Sequence, residues 1–336
     1  MRQLFLLLLS ALATLTPPAT LRLAAADYLF VYFPANDDEN IYYALSTDGY
    51  NYTPLNGGRC VVAADSCTVQ CGLRDPHLLR GADGWFYMVA TDMRSADGWD
   101  SNRGLVMMRS RDLVTWTHAA VHFPSRYAGT PYAGVTRVWA PETIWDPDYE
   151  NADGSRGRLM VYFSLLTADG AIPYDKVFYC HANDDFTDLL GEPVFLYDRG
   201  SATIDMDIVY NPADSLYHAF YKNEGDGGIC QVTARRLTAP AGAAEGSQWS
   251  APSAPLQQTD EAVEGAGIFR LADSDTWILM YDCYMNGHYQ FCSSTDLRHF
   301  RFERNTATSG KFTPRHGTVL AITPEEADRL RRAFPE

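Results

Sequence analysis

One phrase recurs five times along this chain, and the recurrence limits the architectures open to it. An aromatic, β-branched run leads into a second such run and then into a polar turn. The clearest copy opens at Arg74-Asp75-Pro76-His77, continues through Trp85-Phe86-Tyr87-Met88-Val89-Ala90-Thr91 and closes at Ser110-Arg111-Asp112-Leu113-Val114-Thr115-Trp116. A shorter copy runs from Asp27 to Tyr50, and three later ones open at Trp139-Ala140-Pro141-Glu142, Ile204-Asp205-Met206-Asp207 and Val263-Glu264-Gly265. Copies spaced by roughly 50–70 residues fall in the range of propeller blades. Each holds short runs rich in Tyr, Phe, Trp, Val and Ile, bounded by Gly, Asp and Pro, which reads as strands and turns. Helical periodicity is nearly absent until Pro324-Glu325-Glu326-Ala327-Asp328-Arg329-Leu330, a short closing helix with an acidic first turn. The prediction is an all-β, five-bladed β-propeller. A two-sheet sandwich would not need five similar units.

The chain divides into 1–26, with the layout of a signal peptide, and a single propeller domain over 27–336. Met1-Arg2 precedes an apolar run that Thr16-Pro17-Pro18 ends short of a membrane span, and Ala24-Ala25-Ala26 offers a cleavage site. Export to the periplasm or beyond is therefore expected, with no later membrane span. The formal net charge of -15 argues against nucleic acid, whose phosphates demand a basic footprint. It suits a neutral ligand such as a carbohydrate, and a monomer is expected. Of the seven cysteines, a disulfide among Cys60, Cys67 and Cys71, or between Cys283 and Cys292, stands beside buried free thiols. Without paired short Cys/His spacings, a zinc site is not expected.

In a propeller the innermost strand of each blade lines the central channel, so residues that open successive blades converge. Here they bring Asp75, Glu142, Asp205 with Asp207, and Glu264. Carboxylates crowded at one axis repel, which separates their proton affinities. Glycosidic hydrolysis needs such a divided pair, one acid protonated for the leaving oxygen and one ionised to activate water. A calcium cage also uses carboxylates and remains an alternative reading of the same acids.

The ordered set Asp75-Pro76, Trp139-Ala140-Pro141-Glu142, Ile204-Asp205 and Val263-Glu264-Gly265, each before an aromatic strand, resembles glycoside hydrolase family 43, as does the turn from Ser110 to Trp116. The resemblance spans nearly the whole chain after residue 26. It implies a five-bladed propeller and an inverting hydrolase of arabinose- or xylose-containing glycans, α-L-arabinofuranosidase first, β-xylosidase or an exo-galactosidase next. A non-catalytic glycan-binding propeller is the alternative outside enzymology. Carried over by position, Asp75 matches the general base, Asp205 the acid that tunes and orients, and Glu264 the general acid. For inversion, Asp75 and Glu264 are expected roughly 6.5–9.5 Å apart. Met206 and Asp207 depart from the family pattern after Asp205 and make Asp207 its rival.

The remaining candidates are substrate-facing. His77, Trp139 (by stacking on a sugar face), Glu142, Asp207 and Arg315 are expected near substrate. His316 is the candidate neighbour of an axial cation, since the family resemblance allows a structural calcium there; no cofactor is required for the chemistry. Trp85 and Trp116 read as core, and Lys222 with Glu224 as rim residues or an ion pair. The Ser-x-Asp turns also resemble the Asp-box of sialidases but read as local backbone caps. No trio of blade-opening arginines, which a sialidase would need, is evident.

Overall fold

The computed structural model describes residues 27–335 apart from 226 and 309, so the leader expected over 1–26 lies outside the described residues. Five antiparallel sheets form the five blades of a propeller. The first holds β1 (Asp27–Tyr32), β2 (Tyr42–Ser46) and β3 (Thr53–Pro54). The second holds β4 (Leu73–Arg80), β5 (Phe86–Asp92), β6 (Gly104–Ser110) and β7 (Thr117–His122). The third holds β8 (Val135–Glu150), β9 (Arg156–Thr167), β10 (Lys176–Ala182) and β11 (Leu189–Tyr197). The fourth has three strands, β12 (Thr203–Asn211), β13 (Leu216–Asn223) and β14 (Gly228–Ala234). The fifth holds β15 (Glu264–Arg270), β16 (Trp277–Cys283), β17 (His288–Ser294) and β18 (Arg301–Ala307).

The first blade has no innermost strand of its own in sequence order. β19 (Gly317–Ile322) supplies it, pairing antiparallel with β1 from Gly317↔Tyr32 to Asp27↔Ile322. The segment that follows the last repeat is thus the inner edge of the first blade, and the ring closes by joining the two ends of the described chain. Arg315 N–H donates to the Phe33 carbonyl at 2.8 Å and extends the closure toward the axis. The closing helix Pro324–Ala333 has a capping box, with Thr323 and Glu326 satisfying each other's backbone N–H. Glu326 also takes both guanidinium nitrogens of Arg80 at 2.8 and 2.7 Å, fixing the helix to the second blade.

The strands bury both faces because each blade packs on two neighbours. Met88 on β5 joins the apolar cluster between the first and second blades, while the next residue, Val89, joins the cluster between the second and third. That alternation is the period of two of a strand, and it explains why these segments read as continuous apolar runs. The other three clusters fill the remaining blade interfaces in the same way. At the outer corners Ser46, Ser110 and Ser294 each donate to the Asp two residues on, at 2.9 Å. Asp112 Oδ1 accepts the N–H groups of Val114 and Thr115, as a local cap should.

All seven cysteines are free, so of the two alternatives the free thiols hold and neither candidate disulfide forms. Cys292 stands opposite Leu279, whereas Cys283 stands opposite His288, so the two thiols occupy different rungs of one hairpin. No helix among the described residues is long and apolar enough to cross a membrane.

Gly317 begins the closing strand where a Cβ would collide with the Val31 carbonyl oxygen. Gly317→Ala is therefore expected to cost about 1–3 kcal/mol by overpacking, seen as a lower melting temperature. An unchanged melting temperature would contradict the β1–β19 register.

Candidate active site

Four innermost strands share one irregularity. Register breaks between Arg74 and His77, Trp139 and Glu142, Ile204 and Asp207, and Glu264 and Gly267. At each break two residues oppose one on the middle strand, a β-bulge. The first bulged residue is left-handed in every case: Asp75 at φ 49°, Ala140 at 42°, Asp205 at 52° and Gly265 at 63°. Three non-glycine residues in this region are costly and require the surroundings to enforce them. Gly265 needs its missing side chain for a second reason, because a Cβ would lie 3.1 Å from the His316 ring.

The bulges create two tiers around the axis. In the upper tier, Asp75 Oδ2 accepts the Thr91 hydroxyl at 2.8 Å, and Thr91 in turn accepts the Ala140 N–H at 2.9 Å. Asp205 Oδ2 accepts the Gly265 N–H at 2.9 Å. The N–H of a left-handed residue in one blade is thereby satisfied from the blade before it. His316 Nδ1 lies 3.6 Å from Asp75 Oδ1 and 3.7 Å from Asp205 Oδ1, so one ring faces both carboxylates. Arg315 donates to Glu264 Oε1 at 2.6 Å and to Asp282 Oδ2 at 2.7 Å, and Tyr289 donates to the Arg315 carbonyl at 2.7 Å.

The lower tier lies two residues further along each inner strand and holds His77, Glu142 and Asp207, all buried. His77 Nδ1 accepts the Thr143 N–H at 3.2 Å, the Tyr162 hydroxyl accepts the Ile208 N–H at 3.1 Å, and Asp207 Oδ2 accepts the Ile268 N–H at 2.7 Å. Tyr162 donates its own proton to Glu142 Oε2 at 2.8 Å. The side chain of Glu264 retains 30% exposure, while Glu142 retains 5%. Glu264 therefore meets solvent, whereas Asp205 and His316 are as buried as His77.

Proton affinities divide along the same lines. Burial raises that of Asp75, but the neighbouring His316, the charge of Arg74 and the hydrogen bond from Thr91 prevail and hold it below the ordinary carboxylate value. Burial and then the charge of Asp205 push Glu264 up, against the pull of Arg315. Asp205 rises through burial and the proximity of Asp75, moderated by His316. Burial disfavours charge on His316, yet Asp205 and Asp75 outweigh it and raise the imidazole to about 9. His77 is pushed by burial down to about 3 and is neutral. Burial and the neighbouring Asp207 raise Glu142 well above normal, and burial raises Asp207 to about 6.

Asp75, His77, Glu142, Asp205, Asp207, Glu264, Arg315 and His316 come together in these two tiers. Asp207 belongs to the lower tier, separate from the upper-tier position of Asp205. Trp139 is half-buried, its ring under Arg137 at 4.3 Å and edge-on to the exposed Trp99 at 6.2 Å. Trp85 and Trp116 pack against the apolar clusters as expected. Lys222 is buried and donates to the Gly227 carbonyl at 3.0 Å.

Sequence reasoning missed Thr91, Asp282, Trp99 and the clamp on Arg74. Thr91 and Asp282 stand opposite the residues that precede two bulges, which only the strand register reveals. Contrary to expectation, three arginines do stand at the inner strands: Arg74, Arg137 and Arg315. Each is paired with carboxylates: Arg74 with Glu39 at 2.8 Å, Arg137 with Asp100 and Asp175, and Arg315 with Glu264 and Asp282. They are not an open site for an acidic sugar. An axial cation would find its donors at His77, Glu142 and Asp207 rather than at His316. One imidazole and two carboxylates fit calcium poorly, since it takes roughly six to eight oxygens.

A family model described as a probable glycosyl hydrolase domain, of the group related to family 43, matches residues 24–328. Among solved structures, a thermostable family-43 glycoside hydrolase is similar at TM-score 0.52 and 17% identity, over 79% of this chain and 84% of that one. An exo-1,5-α-L-arabinanase from a bovine ruminal metagenomic library is similar at 0.51 and 13%, over 83% and 93%. A mutant of the Bacillus licheniformis family-43 protein BlXynB is similar at 0.53 and 16%, over 84% of this chain but 55% of that one. At these identities the likeness is one of fold. No curated protein matches the sequence.

His316 is expected to titrate near pH 9 by NMR of the histidine rings, with His77 neutral down to about pH 3. Because the folded value of His316 lies above its ordinary 6.5, its ion pairing stabilises the fold fully below that pH and is lost as pH rises through about 9. A ring titrating near 6.5 would contradict the paired geometry.

Proposed function

Because the chain belongs to the family-43-related group of glycosyl hydrolases, we propose that it is an inverting α-L-arabinofuranosidase that uses Asp75 and Glu264 in opposed roles. The observation that carries this reading is the division of proton affinity between two carboxylates at one axis, Asp75 held low and Glu264 held high. A general base must be ionised and a general acid protonated at the same pH, and these opposite shifts favour that state.

Asp75 takes a proton from water, and the water oxygen attacks the anomeric carbon from the face opposite the leaving group. Glu264 delivers its proton to the glycosidic oxygen as that bond breaks. Asp205 raises the proton affinity of Glu264 by its charge, and its hold on the Gly265 N–H fixes the residue next to the acid. His316, charged through neutral pH, keeps Asp75 and Asp205 from repelling each other out of position. Arg315 orients the Glu264 carboxyl from one side and is braced by Asp282 on the other. No step is routed through a metal ion. The neutralised arginines and the tryptophans at the mouth suit a neutral pentose, since aromatic faces pack against apolar sugar faces without needing a charge.

Glu264→Gln is expected to lose roughly 10²–10⁴-fold in kcat on arabinofuranosides with poor leaving groups, and much less on aryl glycosides whose leaving group needs no proton. Asp75→Asn should lose activity on both. Equal losses for Glu264→Gln on the two substrate types would remove it from the acid role. Arabinose should be the sugar released from arabinan and arabinoxylan; release of xylose or galactose alone would overturn the substrate reading.

A further inference from the structure

We infer that Cys283, His288 and Glu261 form a binding site for a divalent transition-metal cation of the zinc type, on the fifth blade and apart from the axis. Cys283 ends β16 and His288 begins β17, and the two face each other as the last rung of the hairpin. Glu261 reaches them from the loop that leads into β15. The thiol sulfur, one imidazole nitrogen and one carboxylate oxygen lie within 4.8 Å of one another.

The side chains of the trio converge on one point. His288 Nε2 lies 3.0 Å from Glu261 Oε2. Both atoms are buried, yet neither has hydrogen-bond geometry with any described group. Buried polar atoms without partners are rare and call for an explanation such as a bound ion. The other ring nitrogen, Nδ1, lies 3.4 Å from the Asn286 carbonyl. A carbonyl only accepts, so a proton on Nδ1 satisfies that contact, and Nε2 can then take either a proton shared with the Glu261 carboxylate or a metal ion. Two electron-rich atoms aimed at each other need a cation between them or a shared proton. Zinc-bound histidines commonly donate their second N–H to such an acceptor.

The donor set discriminates among ions. Sulfur, nitrogen and oxygen with a fourth position left to water match zinc-type coordination, whereas calcium and magnesium take oxygen. In a tetrahedral site with bonds of roughly 2.0–2.3 Å, ligand atoms stand about 3.3–3.8 Å apart, so the observed spread closes with small side-chain adjustments. On binding, the Cys283 S–H bond breaks, a sulfur–metal bond forms, and the proton leaves to solvent, with no change in oxidation state. Entry is open because the Glu261 side chain is about one third exposed, at 32%. The ligand sequence escapes motif searches because Cys283 and His288 are separated by a hairpin turn and the third ligand precedes them in a different loop. A bound ion would tie the turn at Tyr284-Met285 to the loop that enters β15 at Glu264.

The test titrates Co²⁺, then Zn²⁺, into the reduced, chelator-treated protein carrying Cys71→Ser, which removes the exposed thiol. One Co²⁺ per chain is expected, with a thiolate-to-cobalt charge-transfer band in the near ultraviolet that Zn²⁺ abolishes. The axial trio of His77, Glu142 and Asp207 has no sulfur and cannot give that band. His288→Ala and Glu261→Gln, both at partly exposed positions, should weaken binding by roughly tenfold or more while leaving the melting temperature of the metal-free protein near that of the parent. Zn²⁺ should raise the melting temperature of the parent and not of His288→Ala. Absence of a one-to-one charge-transfer signal, or equal affinity in both variants, would overturn the site.

Discussion

The buried N–H groups at the inner-strand bulges are the constraint on which the channel depends. Neighbouring blades do not share a hydrogen-bond ladder, so these donors have no strand partner, and a buried unpaired N–H costs about as much as a lost hydrogen bond. Ala140 and Gly265 meet that demand at Thr91 and Asp205. Thr143, Ile208 and Ile268 meet it at His77, Tyr162 and Asp207. The polar side chains at the axis thus join blade to blade, and the carboxylates proposed for the chemistry belong to the same network. A substitution there tests the fold and the reaction together, which is why amides that preserve shape are the informative replacements.

Charge balance sets the rest. Two unit charges about 4 Å apart at an effective dielectric near 20 interact by roughly 4 kcal/mol. One imidazolium between Asp75 and Asp205 collects two such attractions, enough to offset the burial that would otherwise deprotonate it. Glu264 receives no comparable excess of positive charge. Arg315 is shared with Asp282, and Asp205 adds repulsion, so the proton stays on Glu264 to higher pH than on an ordinary carboxyl. The proposed division between acid and base follows from where His316, Arg315 and Arg74 stand among these acids, with His77 neutral and Glu142 held protonated in the lower tier.

Much of this was legible in the chain itself because each blade repeats its strand chemistry and opens on a recognisable phrase. Five repeats implied five blades, and Asp75, Asp205 and Glu264 were identifiable as openers. The bulges were not legible, because a register shift leaves no mark on hydrophobic alternation. Hence Asp205 and Asp207 appeared as rivals, whereas the bulge sends them to different tiers. Arg315 and His316 precede the closing strand that pairs with the N-terminal strand, and the register of that pairing is what brings them to the axis. Thr91 and Asp282 look like ordinary strand ends, and Glu261 gains a relation to Cys283 and His288 only through the hairpin.

The central claim is that Asp75 and Glu264 act on one bond in a single displacement. The most direct measurement is a proton NMR time course of the sugar freshly released from an α-L-arabinofuranoside, read before mutarotation. The account predicts β-arabinose as the first-formed anomer, decaying afterwards toward the equilibrium mixture. First-formed α-arabinose would require a covalent intermediate and two displacements, and would contradict it.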